Sequence, residues 1–286
     1  MSPGLYSKLA GLVGARTVRQ RPCGEMRILE QGERPRPWRR AYRRDRDLPW
    51  ARSPAARAVR GALLNFVIGP VVHHYGHPRV RGLENLRGLR PPFLLAANHS
   101  SHLDTPAILL ALPPRLRRRT LVAAAADYFF DEPWKGALVA LAVGAIAVER
   151  ERPPRQSVKL VRRLLQEGWN LVVFPEGGRS HDGRLHRGKR GIAHLAAAAG
   201  VPVVPVGIVG TFAALPAGYH WPRRSQLEVR FGKPMFRNAQ ERPQPGPAGL
   251  RSATEGIMAS IQALTGQELA AEEAVPLDAG GARRAS

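Results

Sequence analysis

Cysteine is almost missing from this chain: Cys23 is the only one in 286 residues. One copy can form no disulfide framework and no multi-cysteine metal site. A reducing compartment, and so the cytoplasmic face of a membrane, fits that usage. Acidic side chains are also scarce, 22 against 44 basic ones, which leaves a formal net charge of +22. Such an excess points to an anionic partner, whether nucleic acid, an anionic membrane surface or a phosphorylated substrate. Aromatic residues make up only 6% and are not interleaved with the basic ones. They offer little platform for stacking bases, so nucleic acid is not the expected partner. Long apolar runs are missing as well. Residues 61–72 are interrupted by Asn65 and Pro70, and residues 136–148 fall short of the ~20 needed to cross a bilayer, so no transmembrane span is expected. The start does not read as a signal peptide, because Arg16, Arg19 and Arg21 follow a weakly apolar stretch instead of preceding a strong one.

Several chemistries are missing by motif. There is no G-x-x-x-x-G-K-[ST] phosphate loop, no H-E-x-x-H helix and no G-x-S-x-G elbow. Ser180-His181-Asp182 names the members of a serine triad, but adjacent side chains point apart and cannot relay one proton.

Residues 1–52 form an Arg/Pro-rich arm, as in Arg34-Pro35-Arg36-Pro37. Its composition cannot bury enough apolar surface to offset ordering entropy, so it is expected to be disordered. At Ser53-Pro54 a helix begins, with Ser as N-cap and Pro at the first helical position. Val59, Ala62, Leu63, Phe66 and Val67 fall on one face of it, while Arg57, Arg60 and Asn65 lie off that face. Residues 54–69 are thus an amphipathic helix, either packed on a core or lying in a membrane interface with arginines near headgroups, and Pro70 is expected to end or bend it.

From residue 79 short apolar runs alternate with helical patterns, which argues for an α/β domain reaching to residue 266. Strands are expected at 92–97, 120–124, 146–148, 170–174, 201–209 and 227–232. Helices are expected at 106–112, 134–143, 155–167, 191–199 and 250–264. Residues 267–286 read as a flexible, Gly/Ala-rich tail.

Three polar clusters stand at strand ends, where ligand loops of open α/β sheets collect. In Asn98-His99-Ser100-Ser101-His102-Leu103-Asp104, a His five residues before an Asp can place the carboxylate on one imidazole nitrogen and leave the other to accept a hydroxyl proton. The plainer alternative is that Asp104 caps a helix and His99 merely passes through the loop. In Phe174-Pro175-Glu176-Gly177-Gly178-Arg179-Ser180, the glycines allow close backbone approach and leave amides open to an anion, and Arg179 can fork onto a phosphate. The alternative there is a tight turn with a solvated ion pair. In 144–150, Arg150 emerges after a buried strand near the same sheet edge, or is simply one surface arginine among many.

In order and spacing these clusters resemble the glycerolipid acyltransferases that act on lysophosphatidate and related lysophospholipids. Asn98, His99 and Asp104 match the family's N-H-x4-D. Residues 144–150 resemble its G-x-[IF]-[FI]-[IV]-D-R, with Glu149 and Ala147 departing from the usual residues. Residues 174–180 match F-P-E-G-[TG]-R-S, and Val201-Pro202-Val203-Val204-Pro205-Val206 matches its V-P strand. The basic Arg187-Gly188-Lys189-Arg190-Gly191 resembles its helix start.

The resemblance implies a central mixed, largely parallel sheet flanked by helices. It implies His99 as general base oriented by Asp104, Arg150 and Arg179 on the acceptor's phosphate, Glu176 on its glycerol portion, and Gly177 with neighbouring amides on phosphate or oxyanion. It implies acyl transfer from acyl-CoA or acyl-carrier protein to 1-acyl-sn-glycerol-3-phosphate, giving phosphatidate, with another lyso-lipid or glycolipid as the alternative acceptor. No metal or redox cofactor is expected, and the protein is expected at a membrane surface as a peripheral or monotopic protein. The rival of a different class is a non-catalytic basic protein that coats membrane or nucleic acid. It would have no use for a base positioned at His99.

Overall fold

The computed structural model describes residues 47–126, 132–148, 155–219 and 221–270. Its strands are β1 (Arg79–Arg81), β2 (Leu94–Ala97), β3 (Thr120–Ala125), β4 (Ala145–Val148), β5 (Asn170–Val173), β6 (Val203–Val209) and β7 (Glu228–Phe231). They form one seven-stranded sheet in the order β1-β7-β6-β2-β5-β3-β4. β6, β2, β5, β3 and β4 are parallel neighbours, and β7 turns antiparallel to β6, carrying β1 parallel beside it. The sheet is therefore mixed and largely parallel, as the sequence led us to expect.

Around it lie α1 (Pro54–Gly76), α2 (Asp104–Ala111), α3 (Pro114–Arg117), α4 (Pro133–Val143), α5 (Arg155–Gln166), α6 (Gly191–Ala199), α7 (Thr211–Ala214) and α8 (Pro247–Thr265). β2 shows why both faces must be covered. All four of its residues are buried, with Leu94 and Ala96 in one hydrophobic cluster and Leu95 and Ala97 in the other. A strand buried on both sides reads as a continuous apolar run without alternation. The first cluster takes Val161, Leu164 and Leu165 of α5, Ile192 of α6 and Ile257 of α8. The second takes Leu64 of α1 and Ile108 of α2.

The topology fixes where a site can form. β2 lies between β6 and β5, and Ala96 pairs with Val173, so β2 and β5 end side by side. The chain leaves β2 toward β3 on one side, and leaves β5 toward β6 on the other. Such a switch point opens a crevice at the carboxyl ends of the strands.

Helix α1 departs from expectation in two ways. Pro70 does not end it. Leu63–Ile68 widens into a π-helical stretch, and the Gly69 N–H reaches back to Leu64 O. The wider turn accommodates a proline that has no N–H to give and whose ring would crowd a normal turn. The helix thus runs 23 residues, long and apolar enough by length and composition to cross a membrane, which the interrupted run in the sequence did not suggest.

The second departure is one of direction. The apolar stripe faces outward: Phe66 is 80% exposed, Val67 55%, and Val59 and Val71 46% each. Inward, beside Leu64 and Val72, sits Arg60 at 6% exposure. Its guanidinium donates to Ala51 O and Ala140 O, both at 2.7 Å, and to Leu141 O at 3.0 Å. Arg60 thereby satisfies carbonyls at the C-terminal end of α4, where a cation also complements the helix dipole. Gly144 follows at φ +72, and a Cβ there would lie 3.1 Å from the Arg60 guanidinium carbon. The arginine expected near headgroups is therefore a structural tie inside the domain.

Both expected domain boundaries also shift. Residues 47–52 are ordered: Pro49–Arg52 form a 3-10 turn, Ala51 is buried, and Asp47 pairs with Arg52 and Arg163. Residues 1–46 lie outside the described residues. At the other end, 267–270 pack instead of fraying. Leu185 N donates to Glu268 O and Ala270 N to Leu185 O, at 2.9 and 3.0 Å. Residues 271–286 lie outside the described residues.

Candidate active site

The loop after β2 is held at its start by Asn98. Its side-chain amide exchanges two hydrogen bonds with Ile208 of β6, Nδ2 to O at 2.9 Å and N to Oδ1 at 2.8 Å. The side chain continues the ladder one residue past the end of β2. It also donates to Gln267 Oε1 at 3.0 Å, which ties the segment after α8 to the loop.

His99 follows, with Nδ1 at 2.8 Å from Asp104 Oδ2. That same oxygen accepts from Ser100 N at 2.7 Å and Ser101 N at 2.8 Å. Asp104 is fully buried in the first turn of α2. It does not cap that helix in the usual way; it gathers the loop amides and the imidazole onto one oxygen. A carboxylate can only accept, so His99 must carry its proton on Nδ1, which leaves the Nε2 lone pair free to take another. The imidazole stacks on Phe174 with centroids 4.0 Å apart and planes at 19°. That contact fixes the ring's plane, while 18% of the side chain stays exposed.

The β5 loop supports the β2 loop from beside it. Ser180 N donates to His99 O at 2.7 Å. Glu176, 9% exposed, accepts from His99 N through Oε1 at 2.7 Å and from His186 N through Oε2 at 3.0 Å. Glu176, which the resemblance assigns to the acceptor's glycerol, therefore has both oxygens committed to backbone amides and positions the β2 loop. Burial pushes its carboxyl up to about 7, against the two backbone hydrogen bonds that favour the ionised form.

Glu176→Gln is accordingly expected to lower kcat by roughly 10- to 100-fold with a smaller change in either KM. One of the two amides loses an acceptor, and a slightly misplaced base is costly. The pH dependence has a definite sign. The folded pKa lies above the usual 4.5, so the folded state holds a proton that the unfolded state gives up, and the stability this contributes is lost as pH rises through about 7. Glutamine cannot titrate, so the melting temperature of Glu176→Gln should gain on wild type as pH rises from about 4.5 to about 7. Parallel melting curves that keep a constant gap would rule this out.

Gly177 has φ +74, and its N–H closes the turn onto Phe174 O at 3.0 Å. This amide, expected to be open to an anion, is already used. The amide of Gly178 makes no hydrogen bond among the described residues and takes over that expectation. A Cβ on Gly177 would lie 2.9 to 3.1 Å from the last atoms of the Lys189 side chain. Lys189, which sequence reading noted only as part of a basic helix start, therefore lies across this turn. His102 also faces the site. Its pKa is lowered to about 4, by burial first and then by the charges of Arg179 and His99, so it is neutral at ordinary pH. Arg179 is thus brought near the His99 loop, as its motif suggested. Arg150 lies outside the described residues, although β4, which leads to it, ends at the same sheet edge.

A sequence model of the family described as Acyltransferase matches residues 77–209. Residues 77–209 are thus similar to that family. The chain's similarity extends to 1-acyl-sn-glycerol-3-phosphate acyltransferase of Limnanthes douglasii, 32% identical over 66% of this chain and 64% of that protein. It also extends to 1-acyl-sn-glycerol-3-phosphate acyltransferase alpha of Homo sapiens, 31% identical over 52% of this chain and 54% of that one. The matches thus span less than two thirds of those relatives' own lengths. The crystal structure of the 1-acyl-sn-glycerophosphate (LPA) acyltransferase PlsC from Thermotoga maritima shares the fold, with a TM-score of 0.55 at 24% identity over 78% of this chain and 85% of that one.

The matched stretch runs from the end of α1 through β6 and contains His99, Asp104, Glu176, Gly177 and Arg179. It opens on a cavity of about 1820 Å³. His99, Phe174, Gly177 and Gly178 line it. One wall is apolar and built of small residues, among them Val122, Ala124, Ala142 and Val148. Ala145 of the motif before Arg150 lines that wall too, whereas Ala147, the residue that departs from the family's bulky one, is buried and is not among the lining residues.

Proposed function

We propose that this acyltransferase-family protein moves a fatty acyl group from a thioester, acyl-CoA or acyl-carrier protein, to the free hydroxyl of 1-acyl-sn-glycerol-3-phosphate, giving phosphatidate. The observation that carries the reading is the His99 Nδ1–Asp104 Oδ2 contact of 2.8 Å, with His99 lining a large, mostly apolar cavity. In this mechanism His99 Nε2 takes the hydroxyl proton as the oxygen attacks the thioester carbonyl carbon. The buried carboxylate of Asp104 stabilises the imidazolium that forms. The C–O bond is made, the carbonyl oxygen carries the negative charge, and the Gly178 N–H is the open donor beside it. The C–S bond then breaks, and the imidazolium returns its proton to the leaving thiolate. The thioester is already activated, so no acyl-enzyme is needed. The names of the relatives support this acceptor.

Arg179 serves the acceptor's phosphate. A guanidinium can fork onto a phosphate, and an ammonium is a single compact charge. Arg179→Lys is expected to raise the KM for the lysophosphatidate acceptor about tenfold and to leave the KM for the acyl donor little changed, in steady-state kinetics that vary each substrate in turn. A variant that weakens the donor alone would place the acceptor phosphate elsewhere.

The outward apolar face of α1 gives the lipid substrates a route. One side of α1 is buried against the domain through Leu64, Val72 and Arg60, so the helix docks along a membrane surface with Phe66 and Val67 in the lipid. The scarcity of cysteine supports the cytoplasmic side for that surface. Phe66→Asp combined with Val67→Asp should lower co-sedimentation with anionic phosphatidylglycerol vesicles by roughly tenfold or more, given ~1.5–3 kcal/mol for each large apolar side chain returned to water. Unchanged co-sedimentation would exclude α1 as the contact.

A further inference from the structure

The cavity has a second wall of a different kind. Opposite in character to the small apolar residues of β3, α4 and β4, the segment before α6 and the first turns of α8 line it with Arg187, Lys189, Arg190 and Arg251. All four are exposed. Lys189, Arg190 and Arg251 have no carboxylate within ion-pair distance among the described residues. Two carboxylates line the same region. Asp182 is occupied by Ser180, the Arg184 amide and His186, at 2.9 to 3.0 Å. Glu255 stands one helical turn beyond Arg251. The segment is held in place: a Cβ on Gly188 would lie 2.7 Å from Met258 of α8, and Lys189 N donates to Pro175 O at 2.8 Å. Arg179, by contrast, is not among the residues lining this cavity.

We infer that this basic wall receives the phosphate groups of the thioester donor, so that donor and acceptor phosphates are held by separate sets of cations. The inference rests on the acyl-transfer reading and extends it. A thioester donor has three chemically distinct parts: an apolar chain, the reacting carbonyl, and a phosphorylated pantetheine arm. One cavity offers three matching linings: the small apolar residues, His99 with the Gly177 turn, and the cationic residues. Lys189, Arg190 and Arg251 are exposed and have no carboxylate partner among the described residues, and a polyanion compensates such cations with charge-assisted hydrogen bonds. Lys189 bridges the last two linings, because its side chain reaches the Gly177 turn.

The test uses the full chain and a pair of substitutions on the rim, Arg190→Gln with Arg251→Gln, both at exposed positions. Free CoA is titrated into wild type and variant by calorimetry, and donor and acceptor KM values are measured with palmitoyl-CoA and with a palmitoylated carrier protein. The affinity for CoA should fall roughly tenfold or more, with a steeper salt dependence in wild type than in the variant. The donor KM should rise in parallel, and the lysophosphatidate KM should change little. A rise for both donors assigns the wall to the phosphate of the shared pantetheine arm. A rise for palmitoyl-CoA alone assigns it to the nucleotide phosphates, whereas a rise for the carrier protein alone would place that protein's acidic surface there and overturns the inference. An unchanged CoA affinity with both donor KM values unmoved overturns the inference, as does a rise confined to the lysophosphatidate KM. CoA binding needs no turnover, so a protein that binds CoA through this wall yet transfers no acyl group would refute the acyl-transfer reading and leave the wall standing.

Discussion

His99→Ala should reduce kcat by about 10²–10⁴-fold, the range for removing a general base, in a protein that still folds. In the proposed mechanism the imidazole acts through Nε2, and it contributes to structure mainly through its stack on Phe174. The loop around it does not depend on the ring. His99 N is held by Glu176 and His99 O by Ser180 N. Asp104 keeps the amides of Ser100 and Ser101 when the ring is gone. The melting temperature should therefore move little compared with the loss of turnover. Circular dichroism with single-turnover acyl transfer separates the two effects. A folded His99→Ala protein with near wild-type turnover would remove the base from the mechanism.

Asp104→Asn should come second, with a loss in kcat of roughly 10²-fold or more and little change in either KM. All three hydrogen bonds of Asp104 converge on Oδ2. An asparagine that places its carbonyl oxygen there keeps all three partners. One that places its NH2 group there faces two N–H donors, which is strongly unfavourable. The carbonyl orientation therefore prevails, and the tautomer of His99 is kept. What disappears is the negative charge that stabilises the imidazolium while the thioester is attacked. Loss of charge at constant geometry lowers kcat and spares binding. A variant whose acceptor KM rises while kcat holds would mean that Asp104 shapes the acceptor site instead.

Much of the fold was readable because it is written locally. The apolar runs at 92–97, 170–174 and 201–209 correspond to β2, β5 and β6, and Gly191–Ala199 and its Gly200 stop fall where propensity puts them. His99 and Asp104 were readable for the same reason, since five residues separate them in one loop. The role of Glu176 was not, because its partners His99 and His186 meet it only when β2 and β5 are placed side by side. Lys189 was hidden in the same way: nothing in Arg187–Gly191 says that one of its side chains crosses the Gly177 turn. In α1 the period marked an apolar stripe but not which way it faces. The answer depends on Arg60, which finds the open carbonyls of α4 some 80 residues later in the chain. The flexible tail was misjudged at its start because Gln267 is polar and follows a helix stop, yet its side chain bonds both Asn98 and Gly183 O.

In the proposed reaction a base held by Asp104 joins a thioester's acyl group to a lysophospholipid hydroxyl. The most direct test incubates the purified full chain with palmitoyl-CoA and vesicles. Free thiol and lipid product are followed with and without 1-acyl-sn-glycerol-3-phosphate. The account expects thiol release that depends on the acceptor, equals phosphatidate formed mole for mole, and disappears in His99→Ala. Thiol release that is the same without acceptor, or an acceptor that is never acylated by a wild-type protein bound to the vesicles, would contradict it.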